Sequence, residues 1–362
     1  MHSTVVELCK QGNRFSKQNN LQDARASFEK ALHIESQNAY ALTGLGDVLR
    51  RCKEFSEATQ CYLSVLKVDP KNVFSLRGLG DAYRGLHRYI DAAEVWLKYL
   101  EERPNDIFVI TRVADAYKKI GNYLDSESFY NKALEINAKD RYALIGIADL
   151  YQKTERADQA LVHYLKVLEQ DPRSVHVLTM AGNIYRYKKE FEQAKSYYSI
   201  ALDEEPFNAY ALFGMGDCLR WQQQYEQAIS HWERILTRHE GTIEMLTRLG
   251  DAYRNVGRLE DAENTCRQVL QKTNNKFAWS GLAKVAAIRG NLDEVKKYYK
   301  EVQKIDKEDE RIFMEIGRTL VAVGSVDSSA EFFQFVLELH REDPERQQQI
   351  RELTGELATT TP

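Results

Sequence analysis

The chain has 362 residues, a formal net charge of −4 at pH 7 and 29% charged side chains. Six prolines and 19 glycines are few for this length, which is typical of a protein that is helical almost throughout. The slightly acidic balance gives no positive field to attract nucleic acid, and no run of about 18 apolar residues could span a bilayer. We therefore expect a helical protein that binds neither nucleic acid nor membranes.

The N-terminal segment has neither a basic leader nor the apolar core of a signal peptide. This predicts a cytoplasmic protein, unless an export signal or a lipid anchor has been removed. The histidines are scattered without the spacing of metal ligands, and the five cysteines include no C-x-x-C pair. We expect reduced cysteines that pack in the interior, and no metal or other cofactor.

A repeat begins near the N-terminus and continues along the chain. G-L-G-D occurs at 44–47 and 78–81, and M-G-D and L-G-D follow at 215–217 and 249–251, in each case 34 residues apart. Extending this spacing, with one residue deleted in the eighth repeat, divides the chain into ten repeats. They start at Val5, Ala39, Val73, Ile107, Arg141, Val175, Ala209, Ile243, Lys276 and Glu310.

Two positions of the repeat carry small side chains. Position 8 is Gly or Ala in all ten repeats, and position 20 is Ala or Ser in nine. Glycine within a helix costs about 1 kcal/mol relative to alanine, so its recurrence indicates a packing requirement. We expect the two helices of each repeat to meet backbone to backbone at these positions.

Larger side chains recur later in the repeat. Position 24 is aromatic in nine repeats, and Cys266 replaces the aromatic residue in the eighth. Positions 4, 7 and 11 are mainly apolar, which is the spacing of one helix face, and proline at position 32 ends the second helix of four repeats. The aromatic residues are Phe28, Tyr62, Trp96, Tyr130, Tyr164, Tyr198, Trp232, Tyr299 and Phe333.

Small residues at positions 8 and 20, an aromatic residue at 24 and proline at 32 together resemble the tetratricopeptide repeat, over Val5 to Asp343. The resemblance implies an all-α fold, namely a right-handed α–α superhelix (a solenoid) of ten helix-turn-helix repeats that forms one array over residues 1–343. Asp343-Pro344 predicts the start of a further helix, 344–357, that caps the last repeat. We expect residues 358–362 to be disordered.

The resemblance also implies that the first helix of each pair lines a concave groove, with positions 2, 5, 9, 12 and 13 facing it. Position 2 is aromatic or histidine in six consecutive repeats. These side chains either pack on the neighbouring helix as part of the wall or form an aromatic rail for a bound peptide. They are Tyr40, Phe74, Phe108, Tyr142, His176 and Tyr210.

Positions 9 and 12 carry opposite charges in five of the ten repeats. Asp81 with Arg84 and Asp217 with Arg220 are two examples, and each pair is spaced i, i+3 on one helix face. One interpretation is a series of ion pairs that holds the repeats in register. The other is that a ligand competes for the arginine side chains, which suit carboxylates and backbone carbonyls.

A local cluster of aromatic and basic residues occurs in the sixth and seventh repeats. Position 13 is Tyr187 in one and Trp221 in the other, next to Arg186 and Arg220, and Phe213 stands at position 5. Exposed Trp, Tyr and Arg have the composition of a binding hot spot, whereas internal packing of these side chains is the alternative. We predict that these five residues contact a partner.

No P-loop, dinucleotide-binding fingerprint or catalytic serine motif occurs in the chain. We therefore predict that the protein is not an enzyme but an interaction scaffold that binds a protein or peptide in the concave groove. The alternative is a recognition arm or subunit of a glycosyltransferase-like enzyme whose catalytic part lies elsewhere. Single-stranded RNA would need a basic groove, which the aspartates at position 9 oppose, and self-association as a homo-oligomer stays open.

Overall fold

The computed structural model describes the backbone of residues 2–359 and the side chains of residues 3–353. Over this range the protein is entirely helical, with 21 α-helices and no strand, which confirms the predicted fold class. The helices are α1 (His2–Lys17), α2 (Leu21–Ile34), α3 (Ala39–Arg51), α4 (Phe55–Val68), α5 (Val73–Gly85), α6 (Tyr89–Glu102), α7 (Ile107–Ile120), α8 (Tyr123–Ile136), α9 (Arg141–Lys153), α10 (Ala157–Gln170), α11 (Val175–Tyr187), α12 (Phe191–Glu204), α13 (Ala209–Trp221), α14 (Tyr225–Leu236), α15 (Ile243–Asn255), α16 (Leu259–Lys272), α17 (Lys276–Ile288), α18 (Leu292–Ile305), α19 (Glu310–Ala322), α20 (Val326–Leu339) and α21 (Pro344–Thr359).

Two compact units make up the chain, residues 1–177 and residues 178–362. In the N-terminal unit, helices α1 to α9 each pack on the next helix along the chain. In the C-terminal unit, α12 to α17 do the same, and α19 packs on both α17 and α20. This is the packing expected of helical repeats, each of which buries its apolar face against its neighbours. The single continuous array over residues 1–343 stays a prediction.

The first helix of a repeat begins where the preceding side chain caps it. Asn38 accepts a hydrogen bond from the amide of the third helical residue at 3.0 Å, and Asp140 and Asn208 do the same at 2.9 and 3.0 Å. Such an N-cap stabilises a helix by about 1 kcal/mol. The first helices of the second to tenth repeats begin at the residues from which the repeats were counted, whereas α1 begins at His2, three residues before Val5.

The turn between the two helices of a repeat contains one residue in the left-handed region. In four repeats this residue is a glycine, with φ between 73° and 84°. In the other six it is not, and Lys53 and Lys189 adopt φ values of 64° and 63°. A residue with a Cβ atom pays about 1–2 kcal/mol for this conformation, so these short turns store strain. The six residues are Asn19, Lys53, His87, Glu155, Lys189 and Gln223.

In the first, second and sixth repeats, the aromatic ring at position 24 lies between glycines of two successive repeats. A Cβ atom built on Gly12 would lie 2.8 Å from the ring of Phe28, and one built on Gly44 would lie 2.5 Å from the same ring. These glycines therefore make room for a ring. The prediction that the two helices meet backbone to backbone at position 8 was wrong, because the glycine at this position faces an aromatic side chain. Position 20 does lie against the backbone, because the Ser126 hydroxyl donates to the Ala114 carbonyl at 2.8 Å.

The helix after the last repeat, α21, begins at the predicted residue. Asp343 caps it by accepting from the Arg346 amide at 3.0 Å, and Ile350 is buried in the core that α17 to α20 form. The helix extends two residues beyond the predicted end at 357. We also expected residues 358–362 to be disordered. None of these residues is among the described side chains, and residues 360–362 lie outside the described backbone as well.

Candidate functional site

The aromatic residues at position 2 are exposed. In the N-terminal unit, Tyr40, Phe74, Phe108 and Tyr142 have between 54% and 79% of their surface accessible, and Tyr210 in the C-terminal unit has 75%. His176, which belongs to the N-terminal unit, is exposed as well. Rings that formed a packed wall would lose most of this surface, so their exposure favours the interpretation as a binding surface.

The acidic residues at position 9 have a structural partner that the sequence analysis missed. In the second, fourth, fifth and sixth repeats, position 24 is tyrosine and its buried hydroxyl donates to the residue at position 9 of the same repeat. Tyr62 donates to Asp47 at 2.8 Å and Tyr164 to Asp149 at 2.6 Å. Burial, together with the adjacent carboxylate, raises the pKa of Tyr62 well above its usual value, so the hydroxyl keeps its proton. Much of the acidic series therefore satisfies buried hydroxyl groups.

Tryptophan at position 24 produces a different arrangement, because the next repeat then has arginine at position 6. Asp217 is only 1% exposed, and it contacts Arg186 at 2.6 Å, Arg220 at 3.0 Å and Arg248 at 2.7 Å. These four residues are called the Asp217 cluster below. Trp232 is the tryptophan of this repeat, and its indole nitrogen donates to a backbone carbonyl at 3.2 Å.

A second cluster of this kind lies in the N-terminal unit. Asp81 is also buried, and it pairs with Arg50 at 3.5 Å and, in a shorter contact, with Arg112. These three residues form the Asp81 cluster, and Trp96 stands at position 24 of the repeat. Tryptophan at position 24 followed by arginine at position 6 was the sequence signal that could have revealed both clusters.

The i, i+3 pairing between positions 9 and 12 occurs in some repeats and not in others. Asp217 pairs with Arg220, as the spacing predicted, and Asp251 with Arg254 at 2.7 Å. Arg84 is exposed, and the described side chains include no ion pair between it and Asp81. Arg84 instead lines a cavity of 430 Å³ in the N-terminal unit. Its role in partner binding stays a prediction.

The residues predicted as a hot spot lie in one chain of contacts. The Arg186 guanidinium lies 4.5 Å from the ring centre of Tyr187 and 5.8 Å from that of Phe213. The Arg220 guanidinium lies 5.0 Å from the ring of Trp221. Both arginines form ion pairs with the buried carboxylate of Asp217. The two guanidinium groups that contact the rings of Tyr187 and Trp221 are therefore fixed by the same carboxylate. These five residues are called the Tyr187–Trp221 surface below.

Both outer rings of this surface are accessible. Tyr187 is 77% exposed and Trp221 is 54% exposed, although Trp221 also stacks on Phe191 with 6.3 Å between ring centres. Next to them, a cavity of 710 Å³ is lined by Arg186, Phe213 and Tyr210, among others. The structure thus brings seven of the predicted site residues together in the C-terminal unit, counting Tyr210 and the buried Asp217.

A second cavity of the C-terminal unit was not expected from the sequence. It measures 680 Å³ and is lined by residues of α13, α15, α17 and α19 and by Cys266 of α16. The signal in the sequence was the cysteine at position 24, where every other repeat has an aromatic residue.

Within the described part of the chain, no three His, Cys, Asp or Glu side chains come together as a metal site. Burial raises the pKa values of the Cys218 and Cys266 thiols to about 12, so both stay protonated near neutral pH. In the same range of residues, no helix combines the length and apolar character that crossing a bilayer requires.

Comparison with protein families gives a consistent result along the chain. Models described as tetratricopeptide repeat match residues 16–80, 109–140, 142–174, 179–241 and 246–277, which together amount to more than half of the chain. No curated protein matches the sequence.

Solved structures with similar folds support the same architecture. A tetratricopeptide repeat protein from Parabacteroides merdae is 21% identical over 69% of this chain and 99% of its own, with a TM-score of 0.52. The Cut9–Hcn1 hetero-tetramer of the APC/C is 15% identical over 84% of this chain and 60% of that one, with a TM-score of 0.51. PilF of Pseudomonas aeruginosa is 18% identical over 57% of this chain and 95% of its own, with a TM-score of 0.50. At these identities the likeness concerns the fold alone.

Proposed function

Because this chain belongs to the tetratricopeptide repeat family, a fold of protein-interaction scaffolds, we propose that it acts without catalysis by binding a peptide segment of a partner protein at the Tyr187–Trp221 surface. The observation that carries the proposal is the pair of exposed rings held over two arginines that share one buried carboxylate. Tyr, Trp and Arg dominate binding energy at protein interfaces, where a few such residues account for most of it.

The buried carboxylate supports binding by making the surface rigid. Asp217 is too deeply buried to contact a ligand, but it fixes the guanidinium groups of Arg186 and Arg220 beneath the rings. A side chain that is already ordered loses little conformational entropy when a ligand binds, so more of the contact energy appears as affinity. The surface is therefore organised before the partner arrives.

The charges of the cluster indicate the chemistry of the partner. Arg186, Arg220 and Arg248 face Asp217, and Arg248 also pairs with Glu244 at 2.6 Å. Three positive and two negative groups leave an excess of one positive charge. The bound segment should therefore combine apolar or aromatic side chains, which pack on the two rings, with a carboxylate that reaches the arginines.

The test is affinity capture from native lysate with mass spectrometry, with wild-type protein and a Tyr187→Ala, Trp221→Ala variant in parallel. An Ile90→Ala, Leu124→Ala variant is the matched control, since it removes two exposed apolar side chains from second helices of the N-terminal unit. We expect a partner that wild type and control retain and the first variant loses by at least tenfold, with equal helicity by circular dichroism. Equal capture by all three proteins would refute the site.

The same surface could serve in a recognition subunit of a glycosyltransferase-like enzyme, and that alternative stays a prediction. The identity of the captured protein distinguishes the two, because a catalytic chain among the partners would favour the alternative.

A further inference from the structure

The eighth repeat keeps the slot for an aromatic ring but lacks the ring. In the second repeat, the ring of Tyr62 lies between Gly46 and Gly78, and in the first and sixth repeats Phe28 and Tyr198 lie between glycines in the same way. The eighth repeat has both glycines, Gly250 at position 8 and Gly281 at position 6 of the following repeat. Position 24, however, is Cys266.

The cysteine fills only part of this slot. A Cβ atom built on Gly250 would have the Cys266 sulfur as its nearest neighbour, at 3.3 Å. One built on Gly281 would lie 2.6 Å from that sulfur, with no other described side chain within 4 Å. A thiol has one heavy atom where the other repeats place a ring of six or more. The remaining space is continuous with the 680 Å³ cavity, whose lining includes both glycines and Cys266.

Two buried polar atoms on the cavity wall have no hydrogen-bond partner among the described residues. Ser280 lines the cavity and is only 3% exposed, yet its hydroxyl makes no hydrogen bond to any described residue. The Thr43 hydroxyl, at the equivalent position 5 of the second repeat, does have a partner, because it lies 3.0 Å from the Ser75 hydroxyl and the two form a hydrogen bond. Arg254 also lines the cavity, and its Nε atom is buried without a hydrogen bond in the described range. A buried hydroxyl is normally satisfied, so Ser280 favours a ligand with an acceptor atom.

We propose that this slot binds an aromatic side chain of the partner's peptide, whose ring enters between α15 and α17 and contacts the Cys266 thiol. The inference rests on the proposed function, because it names a side chain of the bound segment. The shape of the slot selects a flat ring, since rings occupy the equivalent space in neighbouring repeats. Contacts between sulfur and an aromatic ring are favourable, and the carbonyl groups of the peptide supply acceptors for Ser280 and Arg254.

The probe for the test is N-acetyl-4-fluorophenylalanine amide, which carries one ring and two carbonyl groups. Its fluorine resonance, titrated against the full chain, reports binding regardless of protein size. We expect a dissociation constant on the order of 1 mM for a ligand of this size in a cavity of this kind. N-acetylalanine amide should not compete with it.

Three variants decide between outcomes. Cys266→Tyr fills the slot from the second helix, as Tyr62 does in its own repeat, so it should keep the melting temperature and weaken probe binding at least tenfold. Cys266→Leu serves the same purpose if the tyrosine variant does not fold. Cys266→Ala enlarges the slot and should bind the probe at least as tightly as wild type.

Equal probe affinity for wild type and the filled variant, or no binding by wild type, would overturn the slot. These results are independent of partner capture at the Tyr187–Trp221 surface. Capture without probe binding overturns the slot alone, whereas probe binding without capture overturns the proposed partner surface and leaves the slot as an aromatic-binding site.

Discussion

The Asp81 and Asp217 clusters are two versions of one arrangement, placed four repeats apart in the two compact units. Each has a buried aspartate at position 9, a tryptophan at position 24, and an arginine at position 6 of the next repeat. They differ in what surrounds them. Asp217 contacts a third arginine from its own repeat, Arg220, whereas the equivalent Arg84 is exposed and forms no ion pair with Asp81 among the described residues.

A second difference between the clusters lies at position 13. Trp221 stacks on Phe191 and remains half exposed, whereas its counterpart Gly85 has no side chain and lies against the ring of Phe55. The shared part of the arrangement is therefore structural, since both units have it. What the C-terminal unit adds is a pair of exposed rings, Tyr187 and Trp221, and this addition is where we place function.

The largest expected effect comes from removing the central charge of each cluster. Asp217→Asn removes a buried carboxylate on which three partly buried guanidinium groups depend, and we expect a loss of about 3–5 kcal/mol in the free energy of unfolding. Asp81→Asn should cost roughly half as much, because fewer arginines depend on it and Arg50 also contacts Asp47. Urea denaturation followed by circular dichroism measures both.

The control for this pair is Asp251→Asn, which breaks a more exposed ion pair with Arg254 and should cost at most about 1 kcal/mol. Cys218 gives a local readout, because it is buried next to Asp217 and should react with a thiol reagent faster once the cluster opens. Equal losses for the two aspartates would show that the third arginine contributes nothing.

A smaller effect should appear when the tryptophan arrangement is converted to the tyrosine arrangement. Trp232→Tyr and Arg248→Gly should each destabilise the protein alone, whereas the double variant lets the new hydroxyl donate to Asp217, as Tyr62 donates to Asp47. We expect a favourable coupling of about 1–2 kcal/mol in a double-mutant cycle.

The mismatched pair, Trp232→Tyr with Arg112→Gly, controls for this cycle, because its members belong to different clusters. Their effects should add within about 0.5 kcal/mol. A coupling in the mismatched pair as large as in the matched one would contradict the assignment of each arginine to its own tryptophan.

The smallest effect concerns the strained turns. Lys53→Gly, in the N-terminal unit, relieves a left-handed residue and should stabilise the protein by up to about 1 kcal/mol in thermal denaturation. Lys189→Gly should gain less, because its ammonium group also lies 5.8 Å from the ring of Trp221. Gly257→Ala, at the same position of the eighth repeat, should destabilise instead. A loss of stability for Lys53→Gly would mean that the turn is not strained.

The sequence predicted the repeat, the helical class and the residues at which the first helices begin, because all three depend on local signals. The spacing of small and aromatic residues recurs, and caps such as Asn38 and Asp140 stand directly before the helices they start. Part of the candidate site was predictable for the same reason, since Tyr187, Trp221 and their arginines occupy equivalent positions in adjacent repeats.

Other features depended on the tertiary structure alone. The sequence shows aspartate at position 9 in six repeats, but only packing decides that Asp47 accepts a tyrosine hydroxyl while Asp217 also binds Arg186 and Arg248, because these partners lie on other helices. The slot beside Cys266 is the clearest case. The sequence alone determined that the eighth repeat lacks an aromatic residue at position 24. Whether neighbouring side chains fill the space of the missing ring depends on their packing in three dimensions, so only the tertiary structure decided that this space stays open.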